Sequence, residues 1–155
     1  MERRVPVMAS RRDILCLAMA VLVARQASAI EDDTVVLVTA EPDPDFSLPT
    51  VKLRKLFLGF TVLHDGNVLQ PIRNRSDELL DKIFLQHIVA MSDEAYERRV
   101  LSMSLRQGRQ RPREVYSRDT LIQTLLRIPH CISFAWQSDL RGVPGIHMVR
   151  TLWRP

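Results

Sequence analysis

Only two cysteines occur among 155 residues, at positions 16 and 131, so a disulfide scaffold is excluded as the source of stability. Glycine is equally sparse, with five residues, and none of them builds a Gly-rich loop of the kind that cradles phosphate groups. Aromatic side chains make up 6% of the chain, which leaves few rings to stack on nucleic-acid bases. The four histidines, His64, His87, His130 and His147, form no pair at metal-ligand spacing, and no nucleophile elbow or zinc motif accompanies Cys131. His130 adjoins Cys131, but neighbouring residues of a strand point to opposite faces, so the two make no Cys-His couple. No residue set for an enzyme is present, and no metal or cofactor is expected. A long hydrophobic run is also missing. The longest, ILCLAMAVLVA at 14–24, is about half of the roughly 20 residues that a membrane-spanning helix needs.

What is present fits one globular domain: 46% apolar and 26% charged residues over a length suited to a single core. Residues 1–29 combine Arg3, Arg4, Arg11 and Arg12, the short apolar run, and Ala27-Ser28-Ala29. A basic start, an apolar centre and a small-x-small end are the three parts of an export signal, with cleavage expected after Ala29. Ser10-Arg11-Arg12-Asp13-Ile14-Leu15 also resembles the twin-arginine motif, so export by that route and by the general route are both open. The segment holds five of the 22 basic residues and two of the 18 acids, so residues 30–155 carry +1 rather than +4. A periplasmic or secreted protein with that balance and few aromatics is a poor partner for nucleic acid.

In residues 30–155 strand and helix patterns alternate, which predicts an α/β domain. Residues 34–39 are a continuous β-branched run, expected as a central strand buried on both faces. A proline-broken acidic loop follows at 41–45. A helix is predicted over 49–58, with Val51, Leu53, Leu56 and Phe57 apolar and Gly59 as its stop. Strands at 60–63 and 68–72 flank Asp65-Gly66, the turn of a hairpin arm. Leu79, Leu80, Ile83, Phe84, Ile88 and Met91 recur at helical spacing, with Asn74 or Ser76 as cap. A further helix begins at Ser92 and runs to about Leu105, followed by a basic loop over 106–113. The last helix is capped by Ser117, with Leu121, Ile122, Leu125 and Leu126 facing inward. Strands at 131–136 and 146–149 complete four or five strands and four helices.

Several short matches in one order carry a resemblance. They are Leu53-Arg54-Lys55-Leu56-Phe57-Leu58-Gly59, Asp65-Gly66 with its spacing to Phe84, Met91-Ser92 with Tyr96, Gly108 with Pro112-Arg113-Glu114-Val115, and Pro129 with Ile132. Together they resemble the small domains related to the phosphate-binding protein of ABC transporters. The resemblance implies a single periplasmic-binding-protein-like lobe, a mixed sheet flanked by helices with a β-hairpin arm, spanning 30–155. It departs at the hairpin, where Leu63-His64 replaces a Trp, and after Tyr96, where a partner Trp is missing. In relatives an Arg precedes Ser-Gly-Thr at a helix start that holds phosphate; here the stretch reads Arg73-Asn74-Arg75-Ser76-Asp77-Glu78.

Two functions follow from that resemblance and those departures. The first is a solute-binding protein taking phosphate or a similar oxyanion at Arg73, Arg75 and Ser76 with Thr39, and working with an ABC transporter permease. Asp77 and Glu78 oppose it, because acids in the first helical turn suit the dipole but repel a dianion. One lobe also supplies one wall of a cleft, so either affinity is weak or a second chain, in a homo-oligomer or another protein, supplies the other. The second is a periplasmic accessory protein that keeps the fold without the ligand. Seven arginines between Arg98 and Arg118, among them Arg109, Arg111 and Arg113, would then capture an acidic partner through paired donors, against the plainer reading of a solvated face.

Overall fold

A computed structural model describes residues 34–41 and 47–155. The export signal expected at 1–29 and the acids at 31–33, 43 and 45 lie outside the described residues. The chain builds β1 (Val35–Thr39), α1 (Thr50–Phe57), a hairpin of β2 (Leu63–His64) and β3 (Asn67–Val68), then β4 (Gln70–Asn74) and α2 (Glu78–Ile83). It continues through a π-helical turn (Phe84–Val89), α3 (Asp93–Gln107), β5 (Arg113–Val115) and α4 (Arg118–Arg127). The last elements are β6 (Cys131–Trp136), a 3₁₀ turn (Gln137–Leu140) and β7 (His147–Trp153).

Five strands form one mixed sheet in the order β5-β4-β6-β1-β7. β4 runs parallel to β5 and β6, and β1 is antiparallel to β6 and β7. The continuous apolar run thus makes an internal strand, every residue of which is buried. Period-two alternation then splits the core. Val35, Leu37, Ile132 and Phe134 face α1, α2, the π-helical turn and α3. Val36, Val38, Cys131 and Ala135 face α4 through Leu121 and Leu125. Helices therefore cover both faces, as expected for this fold class.

Phe84 occupies the middle of the larger core. Its ring stacks on Phe134 at 4.5 Å and meets Phe57 and Tyr96 edge-on at 4.9 and 5.8 Å. The Tyr96 hydroxyl donates to the Phe57 carbonyl at 2.8 Å, tying α3 to α1. Arg54 Nε donates to the Ile88 carbonyl at 3.0 Å, satisfying an acceptor where the π-helical turn ends at left-handed Ala90. β4 and β6 are in register only at Gln70–Cys131 and Pro71–Ile132. Beyond that, buried Ser133 Oγ donates to the Ile72 carbonyl at 2.8 Å and buried Asn74 Nδ2 to the Phe134 carbonyl at 3.0 Å. Side chains replace the ladder there, satisfying the Ile72 and Phe134 carbonyls.

The caps at Ser92 and Ser117 are where the sequence puts them, accepting from Ala95 N and Thr120 N. The hairpin turn also forms, with Asp65 and Gly66 both at positive φ, as a two-residue turn of this hand requires. Several expectations are corrected. Val51, Leu79 and Leu126 are exposed, because each lies just outside the arc of its helix that meets the sheet. Leu85 and Val89 are buried instead, since widening into the π-helical turn rotates later positions inward. Residues 68–72 are split between β3 and β4, the basic loop ends in β5, and the final strand extends to Trp153.

Phe84→Ala is expected to cost about 3–5 kcal/mol in urea unfolding, through lost burial and a residual cavity. Leu79→Ala, on the exposed side of the preceding helix, should change stability by less than about 0.5 kcal/mol in the same measurement.

Candidate functional site

Arg73 enters the core side of β4 with no exposed surface. A buried guanidinium needs compensating charge, and the surrounding elements supply it. Asp81 of α2 takes Nε and Nη2 side-on, both at 2.9 Å. Asp93 and Glu97 of α3 accept from Nη2 at 2.7 Å and Nη1 at 2.8 Å. Glu114 of β5 stands 3.6 Å from Nη1. The guanidinium carbon lies 4.7 Å from the Tyr96 ring centre and 5.7 Å from that of Phe84. Burial alone disfavours the charge, but the bonds to Asp81 and Asp93 outweigh it and raise the Arg73 pKa. Burial likewise lifts the Tyr96 phenol above its ordinary value, against the opposing pull of Arg73.

Arg75 is the outer cation of the same cluster. It is partly exposed and sits 3.6–3.8 Å from Asp81, Asp93 and Glu114. Four carboxylates therefore surround two guanidiniums, and the cluster has the sign that repels a dianion. At the start of α2, Asp77 is the cap, not Asn74 or Ser76: its Oδ1 accepts from Leu80 N at 2.8 Å. Asn74 Oδ1 instead accepts from Ser76 N at 3.0 Å in a local turn. The chain's own carboxylate thus occupies the helix start at which the sequence resemblance implied a phosphate. Thr39 belongs to a separate cluster at the end of β1. Its hydroxyl donates to the Cys131 carbonyl at 3.0 Å and accepts from Glu41 N at 3.2 Å. Glu41 in turn accepts from His130 N at 2.7 Å. Of the four expected anion ligands, the structure brings Arg73, Arg75 and Ser76 into one neighbourhood and leaves Thr39 apart.

Apart from these clusters, a groove of about 1020 Å³ lies between the base of the hairpin, the end of α3 and the segment leading into β5. Arg109, Arg111 and Arg113 all line it, with Gln70, Gln107 and Gln110, and no carboxylate is among its lining residues. Arg109 lies over the Phe60 ring at 4.4 Å and donates from Nε to Gln107 Oε1 at 2.6 Å. Arg111 Nη2 donates to Glu97 Oε2 at 2.6 Å. Arg113 has no ion-pair partner among the described residues. Elsewhere in the arginine-rich stretch, Arg118 bonds the Asp139 carbonyl at 2.8 Å, and Arg98, Arg99 and Arg106 are exposed on α3 outside the groove. Burial pushes the Cys131 thiol, also in the lining, up to about 11 despite nearby Arg113. No group of three or more metal-ligating side chains is assembled among the described residues.

Sequence reasoning missed the carboxylates of the arginine cage. One signal for them existed: an arginine between Ile72 and Asn74 in a strand facing a core requires acids. Nothing local indicates which ones, since Asp81, Asp93, Glu97 and Glu114 come from three other elements.

Arg73→Ala is expected to destabilise the fold by about 3–5 kcal/mol, because it strands carboxylates packed around a missing charge. Arg75→Ala, at a partly exposed position, should cost at most about 1 kcal/mol; urea unfolding distinguishes the two. Cys131 should resist iodoacetamide at pH 8 in the native state. Because its proton is held more tightly in the folded chain, its contribution is complete below about pH 9 and is lost as pH rises towards 11. Cys131→Ala should flatten that part of the stability-against-pH curve.

No family model and no curated protein matches the chain. Its fold is similar to the crystal structure of an ABC-type phosphate transport receptor from Vibrio cholerae, with a TM-score of 0.53 and 10% identity. The match covers 76% of this chain and 46% of the receptor, so the chain spans less than half of that protein's length. At this identity the likeness is one of fold: a mixed sheet flanked by helices, like a single periplasmic-binding-protein-like lobe.

Proposed function

We propose that the protein is an exported, non-enzymatic accessory domain. It keeps a binding-protein-like lobe as a scaffold and captures an acidic partner with Arg109, Arg111 and Arg113. One observation carries the reading: the buried Arg73 guanidinium is engaged by three carboxylates of its own chain at 2.7–2.9 Å. Donors held this way are not offered to an oxyanion. A phosphate would have to displace carboxylates already paired with a buried guanidinium and enter a cluster in which acids outnumber cations. The groove has the opposite character, with three guanidiniums and no carboxylate among its lining residues.

Thermal unfolding with and without millimolar phosphate or sulfate at fixed ionic strength tests this reading. No anion-specific shift is expected. A bound ligand at 100 times its dissociation constant would add about 2.7 kcal/mol, an easily seen change for a domain of this size. A phosphate-specific shift that Arg75→Ala removes would instead establish an oxyanion receptor at Arg73, Arg75 and Ser76.

A further inference from the structure

We infer that the groove beneath the hairpin binds an extended acidic segment of a partner protein, with carboxylates spaced along the segment meeting Arg109, Arg111 and Arg113. This rests on the capture reading above and specifies its ligand. The first ground is the placement of charge. Among the described residues no carboxylate lines the groove, and Glu97 is the border residue, giving Oε1 to Arg73 and Oε2 to Arg111.

The second ground is distribution. The three guanidiniums do not converge on a point: Arg109 rests on Phe60, Arg111 reaches Glu97, and Arg113 stands near Cys131. A small oxyanion needs convergent donors, whereas separated cations suit anions spaced along a chain. Arg113 pairs with Ile72 and so lies on the α4 side of the sheet, while Arg111 reaches Glu97 of α3 on the other side. An extended ligand that crosses this edge of the sheet meets both. The groove's volume, about 1020 Å³, is also far larger than an inorganic oxyanion fills.

The third ground is the manner of contact. Pairing of β4 with β5 begins at Ile72–Arg113, so the preceding Gln70-Pro71 edge borders the groove unpaired with β5. Pro71 has no N–H and Gln70 N already donates to the His130 carbonyl at 2.8 Å. Strand addition is therefore blocked there. Recognition falls to side chains, with the amides of Gln70, Gln107 and Gln110 placed for a peptide backbone and the arginines for its carboxylates. Single-stranded nucleic acid is a weaker fit, because Arg109 covers a face of Phe60 that a base would stack upon.

Fluorescence anisotropy of the full chain with two labelled twelve-residue peptides tests the inference. Both peptides have the same composition, one with Glu at alternate positions and one with the same Glu residues in a block. The alternating peptide should bind more tightly. Arg113→Gln should weaken it by about tenfold or more, while Arg106→Gln, an equal charge change outside the groove, should leave it unaltered. Glu97→Gln should strengthen binding several-fold, since it releases Arg111. Absence of binding at low ionic strength, equal losses in Arg106→Gln and Arg113→Gln, or tighter binding of a single-stranded oligonucleotide than of the peptide would each overturn the inference. Any of these, with unfolding still indifferent to phosphate, removes the groove ligand alone. Phosphate-specific stabilisation removes the underlying reading.

Discussion

The organisation of this domain depends on one desolvated cation. Arg73 joins β4 to α2 through Asp81, to α3 through Asp93 and Glu97, and to β5 through Glu114. Tyr96 and Phe84 lie against its guanidinium, so the same residue adjoins the aromatic centre of the larger core. A charge buried in this way holds its neighbours in fixed positions, because moving any one of them leaves an uncompensated ion in a low-dielectric interior. Its stabilising value is smaller than the gross attraction suggests, since fully desolvating Arg73 and largely desolvating Asp81 oppose it. Its effect on specificity is larger: few packings of α2 and α3 satisfy it.

That arrangement also divides the surface electrostatically. Among the described residues, Asp81, Asp93 and Glu114 are committed to Arg73 and Arg75, while Glu97 reaches across to Arg111. A groove lined by three arginines is the counterpart of a cage with excess carboxylate. The overall charge of the chain reveals none of this. The near balance of acids and bases after residue 29 conceals two neighbouring regions of opposite sign, and that separation, not net charge, governs which partner approaches which face.

Much of the framework was legible from local pattern. The β-branched run at 34–39, the apolar strand at 131–136, the serine caps and the Asp-Gly turn each depend on interactions within a few residues, and each sits where pattern put it. Elements that depend on distant partners were not legible. β5 is three residues long, too short for a periodic signal, and exists because β4 offers it an edge. Asp77 replaced the expected caps because Asn74 is drawn inward to the Phe134 carbonyl, with its oxygen turned to Ser76 N. Leu126 was assigned inward by spacing alone, yet it is left at the surface of the narrow face that α4 covers.

The sequence by itself therefore determined the α/β class, most element positions and the concentration of arginines after residue 97, all matters of composition and short-range period. Tertiary structure alone decided what Arg73 does. In the chain it precedes a helix start, like an anion ligand; in the fold it is spent on carboxylates 8, 20 and 24 residues away. The reason is physical. Coulombic pairing and desolvation depend on distance through space, and no local pattern encodes which of 18 acids the fold will bring within 3 Å of one buried guanidinium.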